Sequence, residues 1–357
     1  MRFAHSRFSV GVHFMDSSIK YLHALHLAGN GEPQALAKIL DKHRSAESAW
    51  RAADKKDIDP DREMEKLVRA GIWMIEKSNP EYPPLLKEIH EAPEILYIKG
   101  KLPKWDETIW PIAIVGTRKP TEYGKNIARQ FAEELAGGGA LIISGCAVGI
   151  DREAHVGALK ARGKTIAVIG SGVDRDSFFP QANWSLAETI IKEGGAVISE
   201  YPPGTPALPH HFPERNRIIS GLSKGLVVVE AQEKSGALIT ARLALEENRD
   251  VFAVPGPITS LTSRGPNRLI KDGATPLLAA SDIFEAYGKT QTISDQANEA
   301  LGSLEAEVLK SLSEQKSFDD LKKDLVCDTG ALQAALSLLE LKNKIQETEP
   351  GIYTRRA

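Results

Sequence analysis

Two arginines flank an asparagine where a proline-rich segment gives way to an apolar run. These residues are Arg215, Asn216 and Arg217, and Phe212 lies shortly before them. The guanidinium group of arginine is a rigid, planar donor that matches phosphate oxygens and base edges. The change in composition predicts that a helix begins here, which would add free backbone amides and the positive end of a helix dipole. The segment is therefore predicted to bind an anion, the alternative being that both arginines pair with surface carboxylates.

The loop after the first predicted strand also suits a phosphate group. Gly116 lets the backbone approach a ligand, Thr117 offers a hydroxyl and Arg118 offers a second guanidinium. A dinucleotide-binding loop would read Gly-x-Gly-x-x-Gly, and this loop does not. The sequence therefore argues against NAD and FAD, and no cofactor is expected.

Two Ser-Gly pairs follow other predicted strands. Ser144 and Gly145 begin a tight turn whose amides face an anion, and Ser235 and Gly236 open a helix. Asp151 is expected to cap the helix that follows the first pair. These loops contain no serine–histidine–aspartate order, cysteine–histidine pair, Walker loop or metal-ligand spacing. The predicted site therefore binds a ligand without catalytic residues and without a metal.

Short β-rich runs alternate with helical patterns between residues 82 and 287. The strands are predicted at residues 112–115, 141–144, 166–169, 196–199, 226–230 and 251–254. The helices are predicted at residues 123–135, 151–161, 181–192, 217–222 and 237–247. This alternation predicts an α/β fold with a doubly wound parallel sheet, and ligands bind such sheets at the carboxyl ends of the strands.

Three domains and a linker are expected along the chain. Apolar residues at helical spacing predict a small helical (SAM-like) domain over residues 1–78, before an extended Rossmann-like core over residues 79–287. A polar linker over residues 288–302 precedes three helical patterns and a hairpin, which predict a winged-helix domain at residues 303–357. Its third helix, predicted at residues 329–341, carries no Arg or Lys, so we expect it to contact protein rather than read duplex sequence.

Bulk properties place the chain among soluble globular proteins. It has 357 residues and a net charge of −3, which gives no support to a nucleic-acid partner but does not exclude a local basic groove. Its two cysteines, Cys146 and Cys327, lie among apolar residues, as expected of reduced thiols in the cytoplasm. No apolar run is long enough for a membrane span, so neither export nor membrane insertion is expected.

These motifs, in this order, resemble the DNA-processing protein A family (DprA, also called Smf). The resemblance is carried by residues 82–86, 93, 96–97, 100, 115–118, 144–145, 149–151, 154–155, 163–168, 199–202, 212–213, 215–217, 235–236, 240 and 254–256. It implies an extended Rossmann core that binds single-stranded DNA without known catalysis and dimerises. It also implies that the protein protects incoming DNA and loads the RecA recombinase in natural transformation.

The resemblance implies strand contacts at residues 116–118 and 215–217, the loops already selected from their chemistry. Phe212 is expected either to stack on a base or to pack in the core, and Lys164 to join the arginines along the groove. The expected nucleic-acid contacts are Gly116, Thr117, Arg118, Ser144, Gly145, Lys164, Phe212, Arg215, Asn216, Arg217, Ser235 and Gly236. Two alternatives remain at this point: a hydrolase acting on nucleoside monophosphates, and an interaction scaffold that docks through the C-terminal domain.

Overall fold

A single nine-stranded sheet organises most of the chain. The computed structural model describes residues 18–53, 57–289, 303–325, 327–342 and 344–356. They fall into two units, one up to Lys289 and the other after it. The strands of the first unit are β1 (Ile72–Glu76), β2 (Ile95–Gly100), β3 (Pro111–Val115), β4 (Leu141–Ser144), β5 (Thr165–Ile169), β6 (Ala196–Ser199), β7 (Gly225–Val228), β8 (Asp250–Ala253) and β9 (Thr275–Pro276).

The strands lie in the order β1-β2-β6-β5-β4-β3-β7-β8-β9, and those from β6 to β9 are all parallel. β2 is antiparallel to both β6 and β1. From β3 the chain builds outward through β4, β5 and β6, then returns to place β7 on the other side. The loops after β3 and β7 therefore diverge at a topological switch point, where open α/β sheets bind ligands. The predicted Rossmann-like sheet is confirmed.

Helices cover both faces of this sheet. They are α1 (Ile19–Ala28), α2 (Pro33–Leu40), α3 (Ala46–Ala52), α4 (Pro60–Arg69), α5 (Pro84–Lys87), α6 (Glu122–Gly137), α7 (Ile150–Lys160), α8 (Trp184–Lys192), α9 (His211–Gly221), α10 (Gly236–Glu246), α11 (Arg264–Lys271) and α12 (Ala280–Ala286). Along β3, Ala113 and Val115 pack in the core that includes α9 and α10, whereas Ile112 and Ile114 pack in the core that includes α6 and α7. Burial on both faces explains why the central strands read as continuous apolar runs.

Helices α1 to α4 share a core with the sheet. Leu25 and Trp50 belong to the same buried cluster as Tyr97 of β2. The Tyr97 hydroxyl lies 3.0 Å from Nδ1 of His23 and 3.2 Å from Nδ1 of His26, both on α1. The domain boundary expected at residue 78 thus falls inside one compact unit, because β1 is part of the sheet and the preceding helices pack on it. The SAM-like character of these helices stays a prediction.

Buried histidines give this unit a defined response to acid. Burial lowers the pKa of His23 and His26 to about 4 and that of His155, on α7, to about 3. Below about pH 6.5 these histidines bind protons in the unfolded chain but stay neutral in the folded chain. Their contribution to the free energy of unfolding should therefore fall as the pH falls toward 4. The slope should reach at most about 4 kcal/mol per pH unit for the three groups together.

Urea unfolding between pH 7 and pH 5 measures this slope. A His155→Asn variant should show a shallower dependence, since one of the three titrating groups is gone. Burial also raises the pKa of Glu247 to about 7, which opposes the histidines equally in both proteins, so equal slopes for the wild type and His155→Asn would contradict the assignment.

The second unit is built from short elements. They are α13 (Ser303–Ser311), β10 (Lys316–Ser317), α14 (Phe318–Leu325), α15 (Thr329–Leu341), β11 (Ile345–Glu349) and β12 (Ile352–Arg355). The strands form an antiparallel sheet in the order β10-β12-β11, and Val308, Leu321, Leu336 and Ile345 are among its core residues. The three helices and the hairpin lie where the sequence predicts them, and the winged-helix assignment stays a prediction. The expected linker lies almost wholly outside the described residues.

Candidate functional site

A cleft of about 590 Å³ opens at the carboxyl ends of the central strands. Its walls come from the loop after β3, the turn between β4 and α7, the loop after β5, the first turns of α9 and the start of α10. Its lining residues include Gly116, Arg118, Phe179, Phe212, Asn216 and Gly236. The switch point between β3 and β7 therefore carries the site, as the strand order requires.

One wall of the cleft combines an exposed cation with two aromatic rings. The Arg118 guanidinium carbon lies 4.9 Å from the centroid of the Phe212 ring, within cation–π range. The rings of Phe179 and Phe212 lie 5.7 Å apart, and Phe179 keeps 45% of its surface exposed. Phe212 is half-buried, so it both packs and presents a surface. The wall can offer charge to a phosphate and a ring face to a base.

Sequence reasoning missed Phe179. The available signal was the aromatic pair Phe178-Phe179 before Pro180, in the loop after β5. Phe178 is buried and Phe179 is exposed, and no periodicity distinguishes two adjacent aromatic residues in a loop.

The loop that carries Arg118 is held rigidly by its own backbone. The Thr117 amide donates to the Glu230 carbonyl at 2.7 Å, and the Thr117 carbonyl accepts from the Ile150 amide at 3.2 Å. A Cβ atom on Gly116 would lie 2.6 Å from Ile150, so only glycine allows this approach of loop and helix. The Thr117 amide is thus used within the fold, and the contribution of this loop to a ligand is concentrated in the exposed Arg118 side chain.

Arg215 lies beneath the cleft as a structural cation. It is only 4% exposed, and its Nη1 donates to the carbonyls of Gly145, at 2.8 Å, and Val168. Burial raises the pKa of Asp151, and the nearby Arg215 guanidinium opposes that shift. A Cβ on Gly145 would lie 2.6 Å from the Asp151 carboxylate and 2.8 Å from the Arg215 guanidinium, so the glycine makes room for both.

Asp151 does not cap helix α7, contrary to the sequence expectation. Gly149 is the N-cap residue, and its φ of 90° is a conformation that glycine adopts readily. The Asp151 carboxylate instead accepts from the Ala147 amide at 3.4 Å, which fixes the turn after β4.

Helix α9 divides the Arg-Asn-Arg segment between two sides. The helix begins at His211, so these residues lie inside it and the predicted helix start at this segment is wrong. Successive positions are about 100° apart, and Arg217 therefore points away from Arg215. Arg217 forms an ion pair with both Glu200 oxygens, at 2.6 and 2.8 Å. Arg217 is thus paired with a carboxylate, although Glu200 is buried rather than at the surface, and the expected nucleic-acid contact of Arg217 stays a prediction.

Asn216 stays in the cleft wall. Its side-chain nitrogen lies 3.4 Å from the Gly236 carbonyl, and its oxygen accepts from Nε of Arg215 at 3.3 Å. These contacts connect the start of α10 to α9. Ser235 caps α10 by accepting from the Ala237 amide at 3.3 Å, and Gly236 is exposed with open space where a side chain would be. The helix start predicted at this Ser-Gly pair is confirmed.

Two other expected contacts lie elsewhere. The Ser144 hydroxyl is fully buried and donates to the Ile114 carbonyl at 2.6 Å, so it joins β4 to β3. Lys164 is exposed but comes immediately before β5. It therefore lies at the amino-terminal edge of the parallel sheet, opposite the cleft. The expectation that Lys164 joins the arginines along the groove is contradicted by this position.

No helix among the described residues has both the length and the apolar character needed to cross a membrane.

The family model for DNA recombination-mediator protein A matches residues 73–288. Over 215 residues the chain is 45% identical to the DNA processing protein DprA of Bacillus subtilis (strain 168), a match that covers 60% of this chain and 71% of that protein.

Two solved structures share the fold. DNA processing protein A of Streptococcus pneumoniae is 35% identical with a TM-score of 0.59, over 75% of this chain and 92% of that one. DNA processing protein A of Helicobacter pylori, whose structure is described for its single-stranded DNA binding mode, is 30% identical with a TM-score of 0.53, over 61% of this chain and 96% of that one. With its central sheet, switch-point cleft and these similarities, the chain belongs to the DNA recombination-mediator protein A family, also called DprA or Smf.

Proposed function

We propose that the protein binds single-stranded DNA in the cleft at the switch point. The observation that carries this proposal is the position of exposed Arg118 over the Phe212 ring, with exposed Phe179 beside it. Proteins that hold single strands combine a cationic track for the backbone with aromatic rings for the bases. The Helicobacter pylori relative, described as a single-stranded DNA binder, supports the same interpretation.

The geometry favours a single strand over a duplex. A ring in a cleft wall can contact the face of a base only when that face is free, and duplex stacking covers it. Each stacked base contributes about 1–3 kcal/mol without regard to sequence. The start of α10 at Gly236 lies across the same cleft, and the open space around this glycine lets a phosphate approach the positive end of the helix dipole. The bound strand would therefore lie between α10 and the Arg118 loop.

Fluorescence anisotropy with labelled oligo-dT and a matched hairpin duplex tests this proposal. Binding to oligo-dT should be tighter, and log Kd should change with log salt concentration by about 0.7 for each phosphate neutralised. Equal affinity for both forms at every salt concentration would rule out strand-selective recognition.

The family membership suggests a cellular role for such binding. In the proposed role, a cytoplasmic homodimer formed through the Rossmann-like core protects incoming single strands and loads RecA onto them during natural transformation. Assembly of RecA on strands pre-coated with a single-strand-binding protein should be faster in the presence of this protein. An unchanged assembly rate would reject the loading role while leaving DNA binding intact.

We propose that the protein acts by binding, without catalysis. The residues that line the cleft supply one buried carboxylate, Asp151, which the fold uses to hold the turn after β4. The alternative, hydrolysis of nucleoside monophosphates, requires a general acid or base that reaches substrate. Chromatography of nucleoside monophosphates incubated with the protein measures the release of free base. Detectable release would favour that alternative.

A further inference from the structure

A second cluster of polar side chains lies where α2 meets the start of α9. Glu32, His210 and His211 place one potential ligand atom each within 4.8 Å of one another. Glu32 precedes α2 as its N-cap residue, and the two histidines are the N-cap and first residue of α9. The turn before Glu32 also approaches the loop after β6, because a Cβ on Gly31 would lie 3.0 Å from the Pro202 side chain. The cluster therefore bridges the N-terminal helices and the sheet-covering helix that bears Phe212.

His211 is oriented as a metal ligand would be. Its Nδ1 lies 3.2 Å from the Gly170 carbonyl and donates to it, which leaves a lone pair on Nε2. Its ring is stacked on Tyr201, with centroids 3.9 Å apart and an interplanar angle of 22°. The side chain is 1% exposed, and Nε2 is buried with no hydrogen-bond partner among the described residues. Metal-binding histidines commonly give their other ring N–H to a backbone carbonyl in this way.

An unpaired nitrogen at this depth needs a physical explanation. Buried polar atoms almost always have a partner, since leaving one unpaired costs about 1–3 kcal/mol. A cation at Nε2 would satisfy the lone pair and draw on the two neighbouring donors. Because the adjacent His210 is exposed and Glu32 is half-buried, both can move toward such an ion.

We propose that Glu32, His210 and His211 bind a zinc ion. Two imidazole nitrogens and one carboxylate oxygen suit Zn²⁺ and disfavour Mg²⁺ or Ca²⁺, which prefer oxygen ligands. Tetrahedral zinc places its ligand atoms about 3.3 Å apart, so the donors must approach by rotation of His210 and Glu32 while His211 stays fixed. Water fills the fourth position. The ion would join the N-terminal helices to α9.

Isothermal titration calorimetry with ZnCl2 on chelator-treated, full-length protein tests this site. The wild type should bind one Zn²⁺. His210→Ala and Glu32→Gln should each weaken zinc binding at least about tenfold, because even the loss of a residue that only hydrogen-bonds a metal ligand costs about that much affinity. The matched control is His90→Ala, because His90 is exposed and lies outside the cluster. It should bind zinc as the wild type does.

Thermal unfolding gives a second readout that does not depend on DNA. Zinc should raise the midpoint of the wild type and of His90→Ala but not that of His210→Ala, because a ligand stabilises only the state that binds it. Since His210 and Glu32 are not buried, their replacement should leave the metal-free protein folded. Equal zinc affinity in all four proteins, or no saturable binding to the wild type, would overturn the proposal.

Discussion

Replacing Arg118 with alanine is expected to weaken binding of oligo-dT by about ten- to a hundredfold. Hydrogen bonds to charged groups contribute about 1.5–3 kcal/mol, and this side chain is the exposed cation that lies over Phe212 in the cleft. The salt dependence should become shallower by about 0.7 in slope, the value of one lost phosphate contact. Fluorescence anisotropy across a salt series measures both effects. Arg118→Lys should bind with intermediate affinity, since it keeps the charge but loses the planar group that stacks.

Lys164→Ala is the matched control for this experiment. Lys164 is also an exposed cation, but it lies before β5 at the opposite edge of the sheet. Its removal changes net charge as much as the Arg118 variant does, so it separates local contact from general attraction. If Lys164→Ala weakened binding as strongly as Arg118→Ala, the DNA path assigned to the cleft would be wrong.

Arg215→Ala is expected to destabilise the fold by about 3–5 kcal/mol, the cost of removing one partner from buried, compensated charges. The variant leaves the carbonyls of Gly145 and Val168 without their donor and leaves buried Asp151 without its main opposing charge. Urea denaturation followed by circular dichroism gives this free energy. A change below about 1 kcal/mol would contradict the structural role of Arg215.

A second substitution distinguishes lost compensation from lost packing. Adding Asp151→Asn to Arg215→Ala removes the uncompensated carboxylate and should restore part of the stability. Arg118→Ala should leave the unfolding free energy unchanged within about 0.5 kcal/mol, as expected of an exposed side chain. Together the arginine variants separate recognition at the surface from support beneath it.

The central sheet could be predicted because its strands are buried on both faces. Short runs such as residues 112–115 and 141–144 are apolar at nearly every position, which is typical of strands buried on both faces. Each run ends at a loop rich in glycine and polar residues. The position of the cleft follows from the same strands, because parallel strands gather these loops at one edge. The placement of Arg118 and Gly236 in one site was therefore accessible from sequence.

The edges of the sheet could not be predicted in the same way. Strands β1 and β2 form an antiparallel pair, and β9 has only two residues. The pairing of these strands depends on partners distant in sequence. The sequence pattern also puts the start of α9 too late, because Pro213 suggests an extended segment. Proline is well tolerated in the first turn of a helix, which is where it lies.

Side-chain direction sets the remaining limit. Arg215 and Arg217 look equivalent in sequence, yet their positions on the helix send the first beneath the cleft and the second to Glu200. Residue type alone groups Lys164 with the arginines, although a residue that precedes a parallel strand must lie at the far edge. The bridge between Glu32 and the two histidines depends on long-range contact and has no local pattern.

The antiparallel strand β1 has a practical consequence for engineering shorter versions of this protein. A truncated chain that starts at residue 79 would lack β1 and helices α1 to α4, leaving β2 as the outermost strand. The amides and carbonyls of β2 that now pair with β1 would be open, and Tyr97 would lose its apolar cover. Bare edges of this kind recruit other chains and promote aggregation. Strand β1 and the N-terminal helices thus cover β2 and Tyr97 as parts of the same compact unit, and a chain that lacks them is expected to aggregate more readily.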